Sequence, residues 1–198
     1  MQAIWLGSTV SLALGFLLLM YAAGTGIEGA YFQWHGRRQI DNEAPAGAAE
    51  PRRQPAVKPR PGDPLATLDI PRIGLSVVVL EGSSDAVLKR GPGHVEDTAY
   101  PGQLGNIAIT AHRDTHFRPL RHIRKNDEIV VTTPAGIMRY YVDSTTIVKP
   151  TNVEILDPAH SILTLITCYP FDFIGSAPRR FIVVAKPKAP LEASNAIR

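Results

Sequence analysis

Residues 164–170 read Thr-Leu-Ile-Thr-Cys-Tyr-Pro, and Cys168 within them is the only cysteine of the 198-residue chain. The apolar run predicts a β-strand over residues 161–168, in which alternation places Thr164, Ile166 and Cys168 on one face. A residue at the end of a strand is held by the strand's hydrogen bonds and still opens to solvent, which suits a nucleophile. The thiol also needs a neighbouring group that takes its proton. The alternative for a lone cysteine is a buried, unreactive side chain.

A histidine also stands at the end of a predicted strand. His112 closes the strand expected over residues 106–112 and shares a face with Ala108 and Thr110. A histidine in this place can exchange a proton with Cys168 if the two strands are neighbours. The alternative is a surface histidine where a strand meets a loop.

Two arginines, Arg179 and Arg180, precede the apolar strand predicted over residues 181–185. An arginine aimed at a carbonyl oxygen can stabilise the negative charge that develops there. Adjacent residues of a strand point to opposite faces, so only one of the two can face Cys168. Arg180 directly abuts the apolar run, whereas Arg179 follows Pro178 and is more typical of a loop, so the sequence favours Arg180. The alternative for both is an ordinary charged strand terminus.

The rest of the region from residue 65 to residue 188 is also rich in strand patterns. Helical patterns are short and fall on residues 84–90 and on the apolar positions 117, 120 and 123. Many strands joined by turns predict a mainly β domain that forms a closed barrel or a sandwich. The strands are expected over residues 67–70, 75–80, 106–112, 128–132, 138–142, 161–168 and 181–185.

The amino-terminal segment has a different composition. Residues 3–27 contain no charged side chain. A helix of about 25 residues rises about 37 Å, against a hydrocarbon core of about 30 Å, so residues 1–27 predict a transmembrane anchor. The alternatives are a cleaved signal peptide and a buried helix. Residues 28–64 begin with aromatic rings suited to a membrane interface and continue as a Pro-, Ala- and Arg-rich stretch, which predicts a mobile linker. Residues 189–198 are expected to form a carboxyl-terminal tail.

The formal net charge of +3 is confined to one part of the chain. Residues 37–60 contain six basic and three acidic side chains, which accounts for the whole excess. The rest of the chain therefore balances to zero, which argues against a nucleic-acid partner. A basic stretch beside a membrane is better suited to anionic headgroups or wall polymers.

The motif Thr-Leu-x-Thr-Cys at residues 164–168, the Ala-His pair at 111–112 and the arginine at 180 together resemble the signature of the sortase family. Four further segments resemble the compact class D and class E sortases; they are residues 91–94, 100–103, 111–115 and 118–120. The resemblance extends over about residues 65–187. It implies a closed eight-stranded β-barrel with short helices, preceded by the transmembrane helix.

The resemblance also implies a chemistry without a cofactor or a metal. Cys168 would attack the threonine carbonyl of an LPxTG-like sorting signal and form a thioester. His112 would act as acid and then as base, Arg180 would bind the substrate backbone and the oxyanion, and Thr167 would help to shape the oxyanion hole. The acceptor would be an amine of a peptidoglycan precursor or a pilin lysine. The domain would lie outside the cell membrane, although a plain count of flanking charges favours the opposite orientation.

Two other functions are alternatives to this one. His112 and His116 stand at i and i+4, as in zinc metallopeptidases, but Arg113 occupies the position where such enzymes need glutamate. The second alternative is a membrane-tethered β-barrel that binds a partner without catalysis, in which Cys168 is inert.

Overall fold

Eight β-strands close into one barrel in a computed structural model, which describes residues 2–43, 58–152, 154–157 and 161–187. The strands are β1 (Pro64–Ile70), β2 (Leu75–Glu81), β3 (Gly93–His94), β4 (Ile107–Ala111), β5 (Glu128–Thr133), β6 (Gly136–Val148), β7 (Leu163–Tyr169) and β8 (Arg179–Pro187). Around the barrel the strand order is β1-β2-β3-β4-β7-β8-β6-β5, so the predicted closed eight-stranded fold is confirmed. The helices are α1 (Gln2–Glu43) and α2 (Asp85–Leu88), with short 3-10 turns at Pro71–Ile73, Arg118–His122 and Glu154–Leu156.

Alternation along the strands separates a packed interior from an outer face. Three strands, β4, β7 and β8, lie next to the residues predicted to form the site. Their core residues are Ile107, Ile109 and Ala111 of β4, Leu163 and Leu165 of β7, and Val183 and Ala185 of β8. Burial of these side chains provides the main driving force for closing the barrel. The intervening residues of β4, β7 and β8 therefore face outward.

The structure differs from the predicted strands chiefly at β3, β6 and β8, and β8 begins at Arg179, which had been expected in a loop but pairs with Tyr169. β3 was not predicted, because a pairing of only two residues leaves no periodic pattern in the sequence. β6 runs on to Val148 rather than ending near residue 142. Its second half is mostly exposed and polar, so it lacks the apolar alternation on which the prediction depended. That half is held by its pairing with β8, after an irregularity between Val142 and Ser144.

Two of the family-like segments, residues 91–94 and 100–103, meet beside Glu81 at the end of β2. His94 is only 1% exposed, and its Nδ1 lies 3.1 Å from a carboxylate oxygen of Glu81. The hydroxyl of Tyr100 donates to the other carboxylate oxygen at 3.2 Å, and its ring stacks on His94 at 4.7 Å between centroids. These contacts join the end of β2 to β3 and to the segment that leads into β4.

Helix α1 is continuous for 42 residues, and its side chains are described for residues 14–20 and 29–43. The apolar side chains of the first of these stretches are exposed; Leu19, for example, is 70% exposed. Within the described residues, no helix is both long enough and apolar enough to cross a membrane. Most side chains of the anchor predicted over residues 1–27 lie outside the described residues.

The last turns of α1 pack against the barrel, which differs from the mobile linker predicted over residues 36–64. Ile40 is 1% exposed and forms a small apolar cluster with Val78, Leu80 and Val87. Gly36 lies one turn earlier, and a Cβ atom there would stand 3.0 Å from the Val78 side chain. This contact could not be predicted from the composition of the segment, because only Gly36 and Ile40 form it and they add little to the average hydrophobicity. The remainder of the predicted linker up to residue 57 lies outside the described residues.

The side chain of Gln33 takes the place of a neighbouring strand at an open part of β2. β3 pairs with β2 only at Leu80 and Glu81, so the main chain of Val78 has no strand partner on that side. Gln33 Oε1 accepts the N–H of Val78 at 2.6 Å, and its Nε2 donates to the Val78 carbonyl at 3.2 Å and to the Arg90 carbonyl at 3.1 Å. One amide group therefore satisfies both main-chain groups of a buried edge residue.

We expect Gln33→Ala to lower the free energy of unfolding by about 1–3 kcal/mol, because it leaves the buried N–H and C=O of Val78 unsatisfied. Gln39→Ala is the matched control, since Gln39 is an exposed glutamine on the same helix. Denaturant unfolding of the two variants measures the difference. Equal stability of the two variants would show that α1 does not hold the barrel through this amide.

Candidate active site

Cys168 and Arg180 are directly opposite each other on neighbouring strands. β7 and β8 pair antiparallel, with Cys168 aligned to Arg180 and Tyr169 aligned to Arg179. Side chains of directly opposed residues project from the same face of a sheet, so Arg180 shares the outer face with Cys168. Both residues are half-buried, whereas Arg179 is exposed. The structure therefore brings together the cysteine and the arginine that the sequence favoured.

His112 reaches the same face from the other side of β7. β4 and β7 pair in parallel, and the last aligned pair is Ala111 with Thr167. The next residues after this pair are His112, directly past the end of β4, and Cys168 on β7. Ala111 and Thr167 are buried, and because neighbouring residues alternate, His112 and Cys168 face outward. His112 is half-buried.

Thr167 braces the two strands that carry these residues. Its side chain is on the inner face, 1% exposed, and its hydroxyl donates to the Ala111 carbonyl at 2.8 Å. On the outer face, the Thr110 hydroxyl donates to the Ile166 carbonyl at 3.3 Å. The hydroxyl of Thr167 is thus turned away from the face of Cys168. The role in the oxyanion hole that the resemblance implies for Thr167 stays a prediction.

The guanidinium of Arg180 is held at the entrance to β8. Its Nη1 donates to the carbonyls of Ala177 and Arg179, at 3.3 and 3.1 Å. An arginine carries five N–H donors in a rigid fork and stays charged at any physiological pH. The arrangement therefore places a fixed positive charge on the face that carries the thiol, where a carbonyl oxygen can accept from it.

His116 lies close enough to His112 for their charges to interact. Burial lowers the pKa of His116 below its ordinary value, and the proximity of His112 lowers it further. A neutral imidazole could bind a metal ion, but a site needs more ligands than two. Within the described part of the chain, no group of three or more histidine, cysteine or acidic side chains is placed to hold a metal. The metallopeptidase alternative gains no support from this arrangement.

A comparison with family models decides which family has this order of histidine, cysteine and arginine. The model of the sortase domain matches residues 68–188. The chain belongs to the sortase family. The family predicted from the sequence motifs is thereby confirmed, including its resemblance to the class D and class E sortases.

Individual sortases are similar to most of the barrel. Sortase D of Bacillus subtilis is 35% identical over 131 residues, which cover 65% of this chain and 66% of that protein, just under two thirds of its length. The structure of the Clostridium perfringens Sortase D5 transpeptidase has a TM-score of 0.60 at 32% identity and covers 66% of this chain and 82% of that one. Sortase E1 from Streptomyces coelicolor, solved with a tripeptide in the active site, has a TM-score of 0.59 at 32% identity, and the match covers 66% of this chain and 91% of that one.

Two arginines beside this sortase site had been given no role from the sequence. Arg113 and Arg121 both contact the loop of residues 170–178, which connects Cys168 to Arg180. From the sequence, Arg113 belongs to the family-like segment 111–115 and occupies the position where a zinc metallopeptidase needs glutamate, and neither observation predicts a contact with this loop. Hydrogen bonds to main-chain carbonyls leave no pattern in the residues that accept them, so this contact could not be found from residue types alone.

Proposed function

We propose that the chain is a cysteine transpeptidase that cleaves an LPxTG-like sorting signal and transfers the released acyl group to an amine. The observation that carries this proposal is the pairing of Cys168 with Arg180 across β7 and β8, with His112 directly after the end of β4, which pairs with β7. A nucleophile, a proton carrier and a fixed cation on one outward face are the groups that acyl transfer requires.

The first half of the reaction forms the thioester. The thiolate of Cys168 attacks the threonine carbonyl carbon of the sorting signal, and the carbonyl electrons move to the oxygen. Arg180 stabilises the resulting oxyanion by donating hydrogen bonds to it. When the carbonyl re-forms, the bond to the following residue breaks, and His112 gives a proton to the leaving amine.

The second half reverses these roles with a different amine. The acceptor amine attacks the thioester carbonyl carbon, and the neutral His112 removes a proton from it. Arg180 again stabilises the oxyanion. The sulfur of Cys168 then leaves as the thiolate, so that the enzyme returns to its starting state and a new amide bond joins the acyl group to the acceptor.

The substrates and the location follow from the same proposal. The acyl donor is a protein that ends in an LPxTG-like signal, and the acceptor amine belongs to a peptidoglycan precursor or a pilin lysine. A peptide substrate is supported by Sortase E1, whose active site holds a tripeptide. The catalytic domain lies outside the cell membrane and is anchored by residues 1–27, which the uncharged sequence of residues 3–27 supports. Loss of the domain when protease is added to intact cells tests this location.

The covalent intermediate provides the most direct test of the activity. The full-length protein is incubated with a panel of peptides that contain Leu-x-x-Thr-Gly, with and without hydroxylamine as a strong amine nucleophile. Mass spectrometry is expected to find the acyl fragment ending in threonine on the peptide that contains Cys168. Hydroxylamine is expected to remove it and to yield the threonine hydroxamate. Peptide turnover without any adduct on Cys168 would contradict a thioester mechanism.

A further inference from the structure

The loop of residues 170–178 has an exposed tip. Phe173 is 44% exposed and Ile174 is 97% exposed, so apolar burial does little to hold the tip in place. Cys168 and Arg180 stand just before and just after this loop, on paired strands. A change in the conformation of the loop therefore acts on both residues.

The base of the loop is fixed by aromatic packing. Phe171 packs against Phe181 at 5.4 Å between ring centroids, and the guanidinium of Arg121 lies 5.5 Å from the centroid of Phe171. Arg121 also pairs with Asp172 at 2.8 Å, but the Asp172 side chain is 82% exposed. An ion pair this open to solvent contributes little, about 0–1 kcal/mol. The packing of Phe171 is therefore the main support of the base, and it ends before the tip.

Arg113 binds the tip. Its Nη2 donates to the carbonyl of Phe173 and, at 3.0 Å, to the carbonyl of Gly175. Gly175 has a φ of +99°, a conformation that a residue with a side chain rarely adopts, so the chain turns here and directs its carbonyl to the guanidinium. Hydrogen bonds from a charged donor are roughly twice as strong as neutral ones. Arg113 also lies beside the Phe173 ring, 5.8 Å from its centroid.

Arg113 directly follows His112 in the chain. The contact of Arg113 with the loop therefore also links the loop to the main chain of His112. We infer that Arg113 is a positioning residue that ties the loop between Cys168 and Arg180 to the segment that carries His112, so that the three groups keep one separation. This inference rests on the proposed transpeptidase function. In this role Arg113 contacts no reacting atom and acts through the loop and the main chain of His112.

Three variants test the inference by steady-state kinetics on the full-length protein. Arg113→Met keeps a long side chain but removes the donors, Arg113→Lys keeps a charged donor, and Arg118→Met is the control on an exposed arginine of the same connection. Arg113→Met is expected to lower kcat by about 10–100-fold with little change in KM, because small misplacements of catalytic groups have effects of this order. Arg113→Lys is expected to recover part of kcat, and Arg118→Met to match the wild type.

Several kinetic results would overturn the inference. An unchanged kcat for Arg113→Met would do so, as would a rise in KM alone, since the loop would then act only on substrate binding. The thermal midpoint of each variant is measured alongside. If Arg113→Met does not fold, Arg113→Lys decides the matter, and a kcat equal to that of the wild type would refute a role for the two-carbonyl contact.

A second readout does not depend on any sorting peptide. The rate at which iodoacetamide alkylates Cys168 is measured as a function of pH, because this rate reports the thiolate and its surroundings. Arg113→Met is expected to change the pH profile of alkylation, whereas Arg118→Met leaves it unchanged. If no peptide is cleaved by the wild type, the proposed function fails, and the alkylation profile still tests Arg113. Identical profiles for Arg113→Met and the wild type would refute the positioning role.

Discussion

Cys168→Ala is expected to abolish cleavage of an LPxTG-like peptide, with a loss of more than about 10⁴-fold, because no covalent intermediate can form without the thiol. Cys168 is half-buried on the outer face of the barrel, so the loss of its sulfur leaves no cavity in the core. The thermal midpoint is therefore expected to stay close to that of the wild type. Peptide cleavage followed by chromatography measures the activity, and thermal unfolding confirms the fold.

The same variant, together with thiol labelling of the wild type, distinguishes an enzyme from a non-enzymatic binding module. Because the chain has one cysteine, a thiol reagent applied to the folded wild type can label only Cys168. Rapid labelling together with loss of activity in Cys168→Ala is expected. Residual turnover in Cys168→Ala would remove the basis of the proposed mechanism. A thiol that is unreactive in the folded protein would favour the binding module.

The positions of the site residues at strand ends could be predicted because strand periodicity is local. The prediction that Cys168 shares a face with Ile166, and His112 with Thr110, depends only on alternation within one strand. The outward direction of these faces follows from the apolar residues between them, which form the core. The choice of Arg180 over Arg179 likewise depended on where one apolar run begins.

The adjacency of the strands could not be predicted from such patterns. β4 lies beside β7 through a parallel pairing, although β5 and β6 come between them in the chain. The distance between His112 and Cys168 in the sequence carries no sign of that contact, and only the family resemblance supplied it. The docking of α1 through Gln33 and the contact of Arg113 with the loop were also missed, because each joins a side chain to distant main-chain groups.

The register of β8 is what makes the two adjacent arginines different. Arg180 is aligned with Cys168 and half-buried, whereas Arg179 is aligned with Tyr169 and exposed. Neighbouring residues on a strand project to opposite faces, so the side chain of Arg179 starts from the face opposite the thiol. A shift of one residue in the pairing would exchange the two positions. The pair therefore contains its own control, with the same residue type, the same charge and the same strand.

Arg180→Ala is expected to reduce peptide cleavage by about 10²–10³-fold, the usual effect of removing one donor to a developing oxyanion, while Arg179→Ala loses less than about tenfold. The thermal midpoints are expected to change little, because neither side chain belongs to the buried core. Alkylation of Cys168 is expected to continue in both variants, since the thiol and His112 remain. The measurement is kcat/KM for the same peptide with each variant. Equal losses, or a larger loss at Arg179, would mean that β8 is shifted by one residue relative to β7 and that Arg179 is the residue that faces the thiol.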